Sequence, residues 1–185
     1  MTTPLIAPCL LALDLGAHLG WAMWFNGTVT SGTTDLSKSH NKRFEGPGMK
    51  FVRFARFVAD LPRPTLVSFE EVRRHLGTDA AHAYGGYLSH LTAFCDTQDP
   101  PIPYEGIPVA TIKKRATGRG NAPKEDMIAA CRGRLNYEPV DDNEADARWL
   151  LLLMCEASKL KWPGPAVPEP PTKAKPRRRK AATKT

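Results

Sequence analysis

The stretch PCLLALDLG (residues 8–16), with WAMWF (21–25), the pair Asn26-Gly27 and TVTSGTTDL (28–36), decides the fold. The first run is apolar from Cys9 to Leu13 and then meets an acid and a glycine, as a buried strand does at its end. Asn-Gly between two β-prone runs is the strongest short hairpin signal, because both residues tolerate a positive φ. Three antiparallel strands are therefore predicted to open the domain.

Beyond them the pattern alternates. Residues 41–60 are helical in pattern after Pro47: Phe51, Phe54, Val58 and Leu61 recur at helical spacing, with Lys50, Arg53 and Arg56 between them. The prolines at 62 and 64 break that helix, and TLVSFEEV reads as a fourth, buried strand. A second helix follows over roughly 78–95. Its Gly85-Gly86 pair weakens a helix, which predicts a close packing contact. Gly106 to Thr111 reads as a short fifth strand. Asn121, with Pro123 in the first turn, is predicted to cap a helix reaching about Arg134. Asp141 or Asp142 caps a last helix, apolar from Ala145 to Leu160, and Asp141 with Glu144 has capping-box spacing. The order β-β-β-α-β-α-β-α-α predicts an α/β domain, a five-stranded mixed sheet with helices on both faces.

Composition narrows the class. Of 185 residues, 42% are apolar, enough for a real core. The longest apolar run, Trp149 to Cys155, is too short to span a bilayer, and no basic-then-apolar leader opens the chain. Four scattered cysteines (Cys9, Cys95, Cys131, Cys155) form no C-x-x-C pair, which points to a reducing compartment rather than a disulfide framework. A cytoplasmic protein with no membrane partner is expected. Residues 163–185 carry seven Lys/Arg and one acid, so they hold six of the seven net positive charges. They also hold six of the 17 prolines and no aromatic residue. A domain over 1–162 with a disordered basic tail over 163–185 is predicted, and a polycation suits a polyanionic partner such as nucleic acid, if it is more than a solubilising terminus.

The chemistry lies in the acids. Asp14 ends strand one, Glu70 and Glu71 end strand four, and Asp141, Asp142, Glu144 and Asp146 fall in the first turns of the last helix. Singly, each has an ordinary reading as a turn, an exposed strand end or a helix cap. Jointly they differ, because adjacent strands one and four would converge Asp14 and Glu70 at one sheet edge, within reach of the last helix. Clustered carboxylates repel one another unless divalent cations neutralise them, and Mg²⁺ prefers oxygen ligands. Two such ions about 4 Å apart can activate water and stabilise the leaving oxygen at a phosphodiester. The stretch IKKRATGRGNAPKEDM adds Lys113, Lys114, Arg115, Arg119 and Lys124 around Gly118 and Gly120, where backbone amides and point charges can meet phosphate. An ordinary basic surface loop would have the same composition. The five histidines show no metal spacing.

These residues resemble the RuvC-type Holliday-junction resolvases, particularly the divergent forms common in phages, and the element order matches the ribonuclease H-like fold. The resemblance covers about residues 9–155. LALDLGAHLGWAMW resembles the family's first strand, which makes Asp14 a metal ligand. LVSFEEV resembles the second acidic strand, with Glu70 as its catalytic Glu. The AYGGYLSHL helix is similar to the family's glycine-containing helix. IPVATIKKRATGRGNAPKEDM is the closest match, and on it Lys113 and Lys124 take the DNA-phosphate positions. NEADARWLLLL resembles the last acidic helix, with Asp146 as its terminal Asp. The family often places another ligand three residues earlier, where this chain has Asn143. Asp142, on the same helical face, is the expected substitute, ahead of Glu144. Where the family often has an aromatic wedge, this chain has Arg73, Arg74 and His75.

The resemblance implies a Mg²⁺-dependent crossover junction endodeoxyribonuclease, with Mn²⁺ a possible substitute. Asp14, Glu70, Asp142 and Asp146 would be catalytic and metal-binding, and Lys113, Lys114, Lys124, Arg73, Arg74 and Arg119 would bind DNA. It also implies a homodimer on four-way-junction DNA, for which the helix of Tyr84, Gly85, Gly86 and Leu88 is the candidate interface. The alternatives are a catalytically degenerate branched-DNA-binding protein, a ribonuclease H-type nuclease on RNA–DNA hybrids, and an actin-like phosphotransferase. The last normally needs a second domain of similar size, for which 185 residues leave no room.

Overall fold

The structure is a computed structural model describing residues 7–37, 45–74 and 77–170. His75, Leu76 and the basic stretch beyond Pro170 lie outside the described residues. The five strands are β1 (Cys9–Asp14), β2 (His18–Phe25), β3 (Thr28–Asp35), β4 (Leu66–Glu71) and β5 (Tyr104–Pro108). They form one mixed sheet in the order β3-β2-β1-β4-β5. The hairpin β2–β3 turns on Asn26 and Gly27 at φ of 50° and 79°, the paired positive values of a tight two-residue turn. β1 pairs antiparallel with β2 and parallel with β4, in register Ala12↔Ser68 and Leu13↔Phe69. Flanked on both sides and covered on both faces, β1 is buried from Cys9 to Leu13.

Alternation along the strands divides the core. Cys9, Leu11, Leu13, Val67 and Phe69 face α1 (Met49–Asp60) and α2 (Thr78–Asp96), where they meet Phe54, Val58, Tyr87, Leu91 and Cys95. Leu10, Ala12, Ala22 and Trp24 face α3 (Val109–Thr117), α4 (Lys124–Ala130) and α5 (Asp142–Ala157). α5 is buried nearly all round, from Glu144 to Leu152, as a central helix must be. Asp141 caps it, its side chain accepting from the Glu144 N–H at 2.9 Å.

Three local readings are corrected. The predicted fifth strand over 106–111 is instead β5 over 104–108, and Val109 opens α3. The β-branched Val109, Thr111 and Ile112 read as strand, but Ile112 and Ala116, four apart, are both buried and share one helical face. Asn121 is not the cap of α4. Pro123 precedes Lys124 directly, and the helix passes at Cys131–Leu135 into a π-helical turn. Of the glycine pair in α2, only Gly86 is in close packing: a Cβ there would lie 2.4 Å from the Phe51 ring, whereas Gly85 faces open space.

Within the tail expected to be disordered, Val167 and Pro168 are held against the domain. Val167 packs on the α5 side of the core, and the carbonyls of Val167 and Pro168 accept from Arg115 at 3.3 and 3.2 Å. Arg134 also donates to Pro168. Its guanidinium lies 4.8 Å from the Trp149 ring centre.

Gly20 controls how close α5 can come. A Cβ there would lie 2.1 Å from the Asn143 carbonyl oxygen, a backbone atom that moves only if the helix moves. Gly20↔Asp14 is a register pair, so the same contact sets the distance from the first turn of α5 to Asp14. Gly20→Ala is expected to destabilise the chain by roughly 1–3 kcal/mol in urea unfolding. Gly32→Ala, whose Cβ would only touch the Trp21 ring at 3.4 Å, should do less.

Candidate metal centre

Side-chain alternation places the acids. Leu13 and Phe69 face α1 and α2, so the next residues, Asp14 and Glu70, face α5. Glu71 turns away and pairs with Arg73 at 3.0 Å. In α5, Asp142 and Asp146 lie one turn apart on the helix face that looks back at the strands. Carboxylate oxygens of Asp14, Glu70 and Asp146 all lie within 4.8 Å of one another. Asp142 sits beside them, close enough to act on the ionisation of Asp14 and Asp146, and pairs with Lys124.

Burial and like charge raise the proton affinity of the group. Burial pushes the Asp14 carboxyl well above the usual range, with Glu70, Asp146 and Asp142 adding to it and Lys124 opposing. Asp146 is pushed up to about 7 by burial, then by Glu70 and Asp142, against the pull of Lys113 and Lys124. Burial raises Glu70 while the same two lysines lower it. Glu70 Oε2 and Asp146 Oδ1 are buried without a hydrogen-bond partner. An all-oxygen, like-charged set with two orphaned acceptors fits a hard divalent cation, and the cluster could bind metal ions. No described histidine joins it.

The other acids of the last helix have separate tasks. Burial pushes Asp141 up, but hydrogen bonds from Thr33 at 2.6 Å, the Glu144 N–H and Asn143 outweigh this and hold it below the usual range. The Asn143 amide donates to Asp141 at 3.2 Å. Glu144 is fully buried on the far side of the helix, where it accepts from Ser31. The capping box is displaced by one residue, because Glu144 reaches the N–H of Val140 rather than that of Asp141.

Of the six predicted DNA-binding cations, the structure brings two to the acids. Gly118, at φ 80°, ends α3 in the left-handed conformation. The loop then folds back so that Lys113 donates to the Ala122 carbonyl at 2.9 Å, and Lys124 at the start of α4 reaches Asp142. Arg119 pairs with Asp126 and Arg73 with Glu71, while Lys114 and Arg74 are exposed. The sequence reading missed α3, which carries Lys113, and the polar contacts of Glu144 and Arg148. The Ile112–Ala116 spacing signalled the helix. Nothing in the sequence distinguished a buried Glu144 from a simple cap residue.

This combination, a mixed sheet in the order 3-2-1-4-5 with an acidic cluster at the ends of its two central parallel strands, defines a ribonuclease H-like domain with a candidate metal centre. No protein-family model matches the chain, and no curated protein matches it in sequence. Solved structures do match in fold. Thermus thermophilus RuvC in complex with a Holliday junction substrate superposes with a TM-score of 0.64 at 20% identity, covering 82% of this chain and 95% of that one. A second T. thermophilus RuvC structure gives 0.61 at the same identity and coverage. The yeast mitochondrial Holliday junction resolvase Ydc2 gives 0.55 at 12% identity, over 80% of this chain and 78% of that one. The chain is structurally similar to Holliday junction resolvases and shares their ribonuclease H-like fold. Among the described residues no helix is long and apolar enough to cross a membrane.

The raised acid has a consequence for stability. An unfolded Asp titrates near 3.9 and folded Asp146 near 7, so between these values the folded chain holds the extra proton. Stability of the metal-free protein should therefore fall as pH rises from about 4 to about 7 and then level off. Urea unfolding of native protein against Asp146→Asn across that range should show the variant gaining relative stability with pH. A constant difference would contradict the raised ionisation.

Proposed function

We propose that this chain is a metal-dependent, structure-selective endonuclease that resolves Holliday junctions and related branched DNA. The observation that carries this reading is the group Asp14, Glu70 and Asp146, brought together with orphaned oxygens on the fold shared with RuvC and Ydc2. Those three acids, with Asp142 as the fourth ligand, would hold divalent ions, Mg²⁺ or Mn²⁺. Such ions lower the pKa of an attacking water and offset charge on the phosphate and leaving oxygen.

The chain's own residues supply position and charge. Lys113, held on the Ala122 carbonyl, and Lys124 stand beside the acids, where an ammonium can meet a phosphate entering the cluster. Lys114, Arg73, Arg74 and Arg119 extend the positive surface away from them, as contacts to flanking backbone. The Pro/Lys/Arg-rich tail adds sequence-independent affinity through its seven cations. A homodimer would present two such sites to two strands of a four-way junction, with the Gly85 face of α2 as its contact.

A labelled synthetic four-way junction, with linear duplex and RNA–DNA hybrid as controls, tests the reading. Native protein with Mg²⁺ is expected to make paired nicks near the branch point, abolished by EDTA and by Asp14→Asn. Tight junction binding without cleavage in Mg²⁺ or Mn²⁺ would identify a binding protein, and preference for the hybrid a ribonuclease H. Truncation after Pro170 should weaken junction binding and flatten its salt dependence by up to about 0.9 in log–log slope for each lost phosphate contact. An unchanged slope would remove the tail from the interface.

A further inference from the structure

We propose that Glu144 is a positioning residue, clamping the far side of α5 so that Asp142 and Asp146 are held against Asp14 and Glu70. This rests on the reading of those acids as a metal site. Two residues of helix are roughly 200° of rotation, so Glu144 points away from the face that Asp142 and Asp146 share. Its carboxylate is fully buried and fully engaged. Oε1 accepts from the Ser31 hydroxyl at 2.6 Å and the Tyr137 hydroxyl at 2.7 Å, and Oε2 accepts from the Val140 N–H at 2.6 Å. One turn on, Arg148 donates to Ser31 Oγ at 2.7 Å, and its guanidinium lies 3.4 Å from the centre of the Tyr137 ring.

Ser31 belongs to β3, at the sheet edge, and Tyr137 follows the π-helical turn. The clamp thus joins α5 to two elements that contribute no acid to the cluster. Apolar packing tolerates small rotations of a helix, since one leucine contact replaces another at little cost. A carboxylate with three directed donors does not, because rotation breaks short hydrogen bonds in a site without solvent. The acids opposite need that restraint: they repel one another, and α5 is the element of the cluster that no strand pairing fixes. A buried charge is an expensive way to add stability alone. Its use here matches a demand for orientation.

The test compares Glu144→Leu, Glu144→Gln and Ser31→Ala with native protein at a temperature well below unfolding. It measures Mn²⁺ affinity by electron paramagnetic resonance, and kcat and KM on the four-way junction. Glu144→Leu should bind Mn²⁺ at least about ten-fold more weakly and lose kcat by a similar factor, the usual scale for residues that orient ligands, with KM little changed. Glu144→Gln should recover most of both, because the hydroxyls of Ser31 and Tyr137 can turn to meet an amide. Ser31→Ala removes one donor without removing the charge, and should fall between. A Glu144→Leu protein that melts earlier yet keeps native Mn²⁺ affinity and kcat would reduce the clamp to ordinary core structure. If that variant does not fold, Ser31→Ala decides: native affinity and kcat in it would overturn the proposal. A native chain that neither binds Mn²⁺ nor cuts would fail the functional reading first, before any variant is compared, and this proposal would fall with it.

Discussion

Mutual repulsion among half-buried carboxylates is the constraint around which this domain is arranged. Asp14, Glu70 and Asp146 come from three separate elements and are held within 4.8 Å without a counter-charge bonded to any of them. Left to electrostatics alone, α5 would swing out and let water in. What opposes that is packing. β1 and β4 are the central strands, locked by pairing on both sides, so Asp14 and Glu70 cannot retreat. The first turn of α5 is seated on Gly20 at a distance no side chain would permit. Backbone approach and apolar burial therefore set where α5 lies, and the hydrogen bonds of Glu144 on its far side restrain how it is turned.

The central helix is built for that load. Ala145, Ala147, Trp149, Leu150, Leu151, Leu152, Met154 and Cys155 are all buried, so the helix has almost no solvent face along which it could slip. Its outer end is secured differently. Arg115 and Arg134 lie by Trp149, Arg115 also binds Glu156 at 3.1 Å, and both arginines bind backbone carbonyls of the segment that follows. Trp24 donates to the Lys161 carbonyl at 3.1 Å from beneath. The chain leaving α5 is thus folded back against it at Val167 and Pro168.

How much of this was legible depends on whether the signal was local. Asp14, Glu70 and the acids of the last helix were readable only jointly, as carboxylates that the fold order brings to one edge, and the family resemblance picked Glu70 and Asp146 from their neighbours. The hairpin was readable from Asn26-Gly27, whose conformational demand is local. Helix α3 was not, because Val109, Thr111 and Ile112 carry strand propensity that tertiary packing of Ile112 and Ala116 overrides. Gly85 and Gly86 are indistinguishable in sequence. They differ only through Phe51, 35 positions upstream of Gly86. The docking of Val167 and Pro168 had no signature, since the tail contributes only backbone carbonyls and one valine to it. Glu144 looked like a cap residue because its spacing from Asp141 is that of one, and only Ser31, 113 residues away, reveals the other role.

The two lysines complete the electrostatic argument. Asp14, Glu70, Asp142 and Asp146 carry four negative charges when ionised, and Lys113 and Lys124 return two. The deficit of two is the charge of one divalent cation. The lysines are not equivalent. Lys113 is tied to the Ala122 carbonyl and half-buried, so its charge is a fixed feature of the site. Lys124 is exposed and tied only to Asp142, which a cation would claim as ligand. Were Asp142 drawn to a cation in the cluster, Lys124 would lose that partner at its mouth. An ammonium there would raise the positive potential at the mouth of the cluster. A second cation in so small a space would need a further negative charge, because the four acids less the two lysines already balance one.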